Sequence, residues 1–262
     1  MNYQIENKLA LVTGSTKGIG FATALILARE GAQVILSGRS EASVSDAINR
    51  LLAQVPSAKV TGFVGDLSQA EAVDALVRKH PALDILVNNL GIFDPKAFED
   101  IPDADWQHFF DVNVMSGVRL ARAYLPGMKQ RDWGRIVFIS SESAIQIPVE
   151  MIHYGMTKTA QLALSRGLAE SCAGTNVTVN SVLPGPTRSE GVSEFVNKLS
   201  GGQSFEDFEK TFFEQARPSS LLKRFTTPEE VANMVAYVCS AAASATTGAA
   251  LRVDGGVVRS AF

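Results

Sequence analysis

Short apolar runs recur along this chain with longer segments of helical length between them. That alternation limits the fold more than any other feature. The runs are Leu9–Thr13, Gln33–Ser37, Val60–Val64, Ile85–Asn88, Arg135–Ser140, Thr178–Leu183 and Ala250–Val253. Each has the length of a buried strand. Strand and helix in alternation predict an α/β fold: a Rossmann-like, doubly wound parallel sheet with helices on both faces. The pattern continues from residue 9 to about 258 with no linker, composition break or repeat, so residues 1–262 read as a single domain. Ligands of such sheets bind beyond the carboxyl ends of the strands. Gly14, Arg39, Asp66, Asn89, Ser141 and Pro184 all fall there.

The first run leads into Gly14-Ser15-Thr16-Lys17-Gly18-Ile19-Gly20 and then the apolar stretch Phe21–Ala28. A strand, a glycine-rich turn and a helix present backbone N–H groups to a pyrophosphate. The spacing is Gly-x-x-x-Gly-x-Gly, not the commoner Gly-x-Gly-x-x-Gly. Arg39 follows the second run, nineteen residues beyond Gly20, and no Asp or Glu lies between Gln33 and Ser40. An acidic residue here would bind the ribose hydroxyls of NAD, whereas an Arg accommodates the 2′-phosphate of NADP. Lys17 adds a second cation. Asp66 after the third run fits either a cofactor contact or a turn; Ser68 is the better helix cap of the two.

Tyr154 and Lys158 are four residues apart, which on a helix places them about one turn apart on one face. A phenol is protonated at neutral pH. A nearby ammonium favours its phenolate and makes it a usable acid or base. The pair alone also fits an ordinary helix.

The ordered set Thr13-Gly14…Gly18-Ile19-Gly20, Asp66-Leu67, Asn88-Asn89-Leu90-Gly91, Asn113, Ser140-Ser141, Tyr154…Lys158, Pro184-Gly185 and Val253-Asp254-Gly255-Gly256 resembles the short-chain dehydrogenase/reductase family along nearly the whole chain. The family usually has Ala where Leu90 stands. The resemblance implies an NADP(H)-dependent enzyme that interconverts a carbonyl and an alcohol. It implies Ser141 as the group that bonds the substrate oxygen, Tyr154 as the proton donor, Lys158 on the nicotinamide ribose depressing the tyrosine pKa, and Asn113 holding a water that links Lys158 to solvent. It further implies that Gly14, Ser15, Lys17, Gly18, Ile19 and Gly20 carry the phosphates and that Asp66 and Leu67 meet the adenine. Asn89 and Gly91 then come close to the adenosine ribose, and Pro184, Gly185, Thr187 and Ser189 hold the nicotinamide carboxamide. A 3-oxoacyl thioester reductase is the alternative, and a dinucleotide sensor without turnover is the alternative of another class. Carrier-protein reductases of this kind carry surface Arg where Asp132 and Thr175 stand here, although Arg131 and Arg135 are close.

The formal net charge of −3 gives no support for nucleic-acid binding. No apolar run approaches the length of a membrane span, and residues 1–8 lack the order of a signal peptide. Cys172 and Cys239 read as reduced thiols, and with His80, His108 and His153 scattered no metal site is expected. A cytoplasmic location is the expectation that follows.

Residues 190–223 are the expected substrate cover. Phe205, Phe208 and Phe212 form an apolar stripe at helical spacing, Phe195 lies nearby, and Gly201-Gly202 marks a break. With Ile145, Ile147, Val149, Met151 and His153 near the reaction centre, an apolar substrate is expected. Two long helices, about Asp103–Gln130 and Met151–Ala173, carry apolar residues on several faces. In the resembling family these pair across two-fold axes, so a homotetramer is expected.

Overall fold

The computed structural model describes residues 3–190 and 204–261. Its strands are β1 (Leu9–Val12), β2 (Gln33–Gly38), β3 (Val60–Val64), β4 (Ile85–Asn88), β5 (Gly134–Ile139), β6 (Val177–Pro184) and β7 (Ala250–Val253). The helices are α1 (Gly18–Arg29), α2 (Glu41–Gln54), α3 (Ala70–Lys79), α4 (Asp103–Phe110), α5 (Ser116–Gln130), α6 (Ile152–Ser171), α7 (Phe205–Gln215) and α8 (Pro228–Cys239). Every expected run forms a strand, and no strand end moves by more than one residue. All pairs are parallel, in the order β3-β2-β1-β4-β5-β6-β7.

The central strands β1, β4 and β5 are mostly apolar because both of their faces are buried, whereas the edge strands β3 and β7 are only partly buried. Ala10, Val12, Val34, Leu36, Ile85, Val87, Val137 and Ile139 point to one side, where α1 and α8 pack together. Leu11, Ile35, Leu86, Ile136 and Phe138 point to the other, against Leu120 and Tyr124 of α5. The chain winds outward from β1 to β3, then returns to β4 on the opposite side of β1. The crevice at that reversal is where the fold receives ligands.

The strand ends flanking the crevice are locked together. Asn89 Nδ2 donates to Thr13 O at 2.8 Å and to Gly14 O at 3.0 Å. In return Thr13 Oγ1 accepts from the N–H groups of Asn89 and Leu90, both at 2.9 Å. Gly14 and Gly18 adopt φ of +58° and +56°, a left-handed conformation that favours glycine. At Gly20 the constraint is space: a Cβ there would lie 2.5 Å from both Asn89 Nδ2 and Gly14 O.

One expected long helix is interrupted. Between α4 and α5, Asp111–Met115 form a π-helical turn. Gln161 Nε2 of α6 donates to Asn113 O at 2.5 Å, a side-chain bond from the neighbouring helix to a carbonyl of this turn.

Gly20→Ala is expected to lower stability by about 1–3 kcal/mol, the usual cost of overpacking a filled site. Urea unfolding checks it; an unchanged midpoint would show that the Asn89 lock has room to give.

Candidate active site

A cavity of about 650 Å³ opens at the carboxyl ends of β1, β4, β5 and β6. The glycine turn lines it with Gly14, Lys17, Gly18, Ile19 and Gly20; β4 and β6 lead into it through Asn89 and Gly91 and through Pro184, Gly185, Thr187 and Ser189. Ser141, Tyr154 and Lys158 line the same space. Sequence positions spread over 175 residues, from Gly14 to Ser189, therefore meet at one cavity. Ser15, Arg39, Asp66, Leu67 and Asn113 do not line it.

On α6, Tyr154 and Lys158 sit one turn apart, with Lys158 Nζ 5.6 Å from the centre of the Tyr154 ring. Lys158 is buried and donates to Ile139 O at 2.9 Å. Loss of solvent lowers its pKa to about 8. The half-buried Tyr154 differs from expectation. Burial raises its phenol above the ordinary value, a hydrogen bond with Ser141 pulls the other way, and the Glu142 carboxylate adds to the rise. Loss of solvent around the phenol outweighs the Ser141 hydrogen bond and the Arg217 charge.

Ser141 follows β5 and caps a short 3₁₀ turn, Glu142–Ala144. Its Oγ accepts from Ser143 N at 3.1 Å and donates to Glu142 Oε2 at 2.5 Å. The hydroxyl of Ser140 instead donates to Lys158 O at 2.9 Å and ties β5 to α6. Asn113 is buried and acts on backbone: its Oδ1 accepts from Ile92 N at 2.8 Å, and its Nδ2 donates to Ile92 O at 3.1 Å and to Thr157 Oγ1 at 2.9 Å. The segment it holds matters, because a Cβ on Gly91 would stand 3.2 Å from Lys158 Nζ.

At the other end of the crevice, α1 begins without a side-chain cap. The Gly18 N–H donates to Glu190 Oε2 at 2.9 Å, so a carboxylate rests on the turn. Ser15, expected at a phosphate, is buried inside the sheet. Its Oγ donates to Val12 O at 2.7 Å and accepts from Ser37 N at 2.9 Å, and its N–H donates to Ser37 O. Arg39 is exposed beyond β2. Asp66 is exposed and makes a turn: Oδ1 accepts from the N–H and the hydroxyl of Ser68 at 3.0 and 2.7 Å. Ser68 is thus not the cap of α3, which starts from Gln69 without a side-chain bond. Leu67 packs its side chain into the core beside α3 and α5. Gly185 passes so close to Asp254 that a Cβ would meet Asp254 O at 2.6 Å. Thr187 Oγ1 donates to Gly185 O at 2.9 Å, and its side chain pairs with Thr226.

The substrate side is less uniform than expected. Phe208 and Phe212 of α7 line the cavity with Phe225, and the rings of Phe212 and Phe225 lie 5.1 Å apart. Met151 joins them, whereas Ile145, Ile147 and Val149 are exposed and His153 is buried against Phe109. Phe195 and Gly201-Gly202 lie outside the described residues. Charged groups share the cavity. Glu142 and Arg217 form a buried pair at 3.1 Å, and Arg217 also reaches Glu150 at 3.1 Å. Sequence reasoning missed this cluster and Glu190, and named Thr13 only as part of the family motif. Glu142 was visible as the neighbour of Ser141, but Arg217 stands 75 residues further on with no local signal. Among the described residues no group of His, Cys, Asp and Glu could hold a metal ion, and no helix is long and apolar enough to cross a membrane.

Comparison with known proteins agrees with this geometry. A family model described as enoyl-(acyl carrier protein) reductase matches residues 14–258. The chain is 49% identical over 264 residues to an uncharacterized oxidoreductase of Bacillus subtilis, YvaG, with all of both chains covered. It is 36% identical to dehydrogenase/reductase SDR family member 4 of Bos taurus, over 96% of this chain and 88% of that one. The L-sorbose reductase of Gluconobacter frateurii, solved with NADPH and L-sorbose, superposes with a TM-score of 0.93 at 32% identity, covering 99% of this chain and 100% of that chain. Fold, motif order and end-to-end similarity agree, and the chain belongs to the short-chain dehydrogenase/reductase family of oxidoreductases.

Proposed function

We propose that this protein is an NADP(H)-dependent reductase that interconverts a small-molecule carbonyl and its alcohol by hydride transfer. One observation carries the reading: the glycine turn and the Ser141–Tyr154–Lys158 group open onto a single cavity. The residues present fit a dinucleotide. The Glu190 carboxylate on the Gly18 N–H marks a backbone donor suited to an anion, and it lies at the uncapped start of α1. Arg39 stands exposed next to Gly38, the position an NAD-selecting acid would take, with Lys17 exposed on the turn. The sorbose reductase it resembles was solved with NADPH, which supports the same cofactor here. In this reading Asp66 and the Leu67 backbone serve the adenine, and Asn89 and Gly91 flank the adenosine ribose. Pro184, Gly185, Thr187 and Ser189 serve the carboxamide.

The bound cofactor would supply the hydride. The chain supplies orientation and a proton. Ser141 Oγ and the Tyr154 hydroxyl together hold the carbonyl oxygen. Tyr154 gives its proton to that oxygen in reduction and recovers it in the reverse direction. A phenol held above its ordinary pKa stays protonated at neutral pH, as a proton donor must. Lys158, with a pKa of about 8, remains largely charged there and favours the phenolate that proton donation leaves behind. Asn113 is a positioning residue that fixes Gly91 and Ile92 against the lysine.

The carrier-bound acyl thioester reading is the weaker one. Arg135 is 2% exposed, and its guanidinium donates to Gly134 O and Asn176 O. Arg131 is turned onto Leu83 O. The Arg135 guanidinium is thus closed to an acidic carrier, while the exposed Arg131 stands beside Asp132, a carboxylate where carrier-protein reductases have Arg. A sensing protein without turnover would have no use for a Tyr–Lys proton donor.

We further propose a homotetramer. Met115 of the π turn, Val118 of α5 and Leu162 and Ala163 of α6 remain partly or fully exposed on the paired helices. Such faces need a partner surface.

Tyr154→Phe is expected to keep NADPH binding and to lower turnover about 100-fold or more; turnover within a few-fold of the parent would remove Tyr154 from the proton-donor role. The parent is expected to prefer NADPH over NADH at least about tenfold in kcat/KM, from charge-assisted bonds to the 2′-phosphate. Arg39→Asp should abolish or reverse that preference, and equal efficiency with both cofactors in the parent would contradict it. Light scattering should give a mass near four times the 28.0 kDa of one chain; a mass near one chain would show that the exposed helix faces have no partner in solution.

A further inference from the structure

The proposed chemistry leaves one neighbour of Ser141 without a task. Glu142 lines the cavity with its side chain 6% exposed. Its Oε2 accepts the Ser141 hydroxyl proton at 2.5 Å, and its Oε1 accepts from Arg217 Nε at 3.1 Å. Arg217, 8% exposed, donates through Nη1 to Glu150 Oε1 at 3.1 Å. Two carboxylates share one guanidinium, so the cluster carries a net negative charge. A buried pair of this kind contributes little to stability compared with apolar packing. Its place beside Ser141 points to recognition.

The donor–acceptor inventory narrows what is recognised. Ser141 has one hydroxyl proton, and an ionised carboxylate only accepts. While Glu142 holds that proton, Ser141 has none to offer a carbonyl oxygen. A simple ketone brings an acceptor and no donor, so it must draw the proton away from the carboxylate and leave Oε2 without it. A ketone with a hydroxyl on the adjacent carbon brings its own donor. That hydroxyl takes the place on Oε2, and the Ser141 proton is released to the carbonyl. Oxygens on adjacent carbons are about one hydrogen-bond length apart, which matches the separation of Ser141 Oγ and Glu142 Oε2. The net negative cluster disfavours a carboxylate or phosphate at the same position.

Resting on the carbonyl-reductase reading, we propose that Glu142 is a specificity-determining residue and that the substrates are α-hydroxy ketones, with vicinal diols as the corresponding alcohols. The reaction balance is unchanged. A bound nicotinamide would supply the hydride, and Tyr154 supplies the proton to the carbonyl oxygen. Glu142 exchanges one hydrogen-bond partner for another. Phe208 and Phe212 leave the rest of the substrate an apolar wall.

The test uses 2-hydroxyacetophenone and propiophenone, which differ by a hydroxyl in place of a methyl. The readout is the ratio of their kcat/KM values with NADPH, compared between parent and variants so that intrinsic ketone reactivity cancels. Glu142→Gln keeps the shape and removes the charge, and the ratio should fall about tenfold because charge-assisted bonds are roughly twice as strong as neutral ones. Glu142→Leu with Arg217→Leu removes both charges together, which spares the fold an unpaired buried ion, and should erase the preference. Calorimetric binding of 1-phenylethane-1,2-diol and 1-phenylpropan-1-ol to the protein without nucleotide repeats the comparison with no turnover; the parent should favour the diol and the double variant should not. A kcat/KM ratio that both variants leave unchanged overturns the proposal, as does a parent that binds the two alcohols equally. A Glu142-dependent diol preference without reduction of either ketone supports the assignment of Glu142 and instead overturns the reductase reading.

Discussion

The active crevice depends on the bond set between Asn89 and Thr13. Two strands that neighbour each other in space but lie far apart in sequence end there, and their carbonyls and amides would otherwise open onto the cavity unpaired. One amide side chain and one hydroxyl satisfy four backbone groups across the gap. The same amide then fills the space beside Gly20, so the glycine answers to packing as much as to cofactor approach. Ser15 extends the arrangement inward by tying β1 to β2 through Val12 and Ser37. The glycine turn is therefore held from beneath by hydroxyl and amide groups, and its upper face is left for a ligand.

At the reacting end, solvent exclusion sets the character of the titrating groups. The same burial that raises the Tyr154 phenol lowers the Lys158 ammonium, because each charged form loses water. The opposed shifts keep the phenol protonated while the lysine still carries charge near neutrality, the combination that proton donation to a carbonyl requires. The Glu142–Arg217–Glu150 cluster puts three formal charges in the same cavity as the Phe208 and Phe212 rings.

The π turn at Asp111–Met115 joins these parts. It brings Asn113 to the Gly91–Ile92 backbone, and Gln161 and Thr157 of α6 hold Asn113 in turn. The helix that carries Tyr154 and Lys158 is thereby linked to the loop after β4 that borders the cofactor crevice.

Periodicity and punctuation in the chain were enough to locate the seven strands, their parallel pairing and the crevice, because a strand buried on both faces is mostly apolar and a tight phosphate turn is glycine-rich. The Tyr154–Lys158 pair was legible for a similar reason: helical spacing is local. Tertiary structure decided what depends on contacts at long separation. It turned Ser15 into the sheet, made Asp66 a turn residue, buried Arg135, interrupted the long helix at Asn113 and reversed the expected direction of the Tyr154 pKa. It also brought Arg217 to Glu142. Hydrogen-bond partners and solvent exclusion are properties of the folded neighbourhood, and residue type or spacing along the chain does not encode them one position at a time.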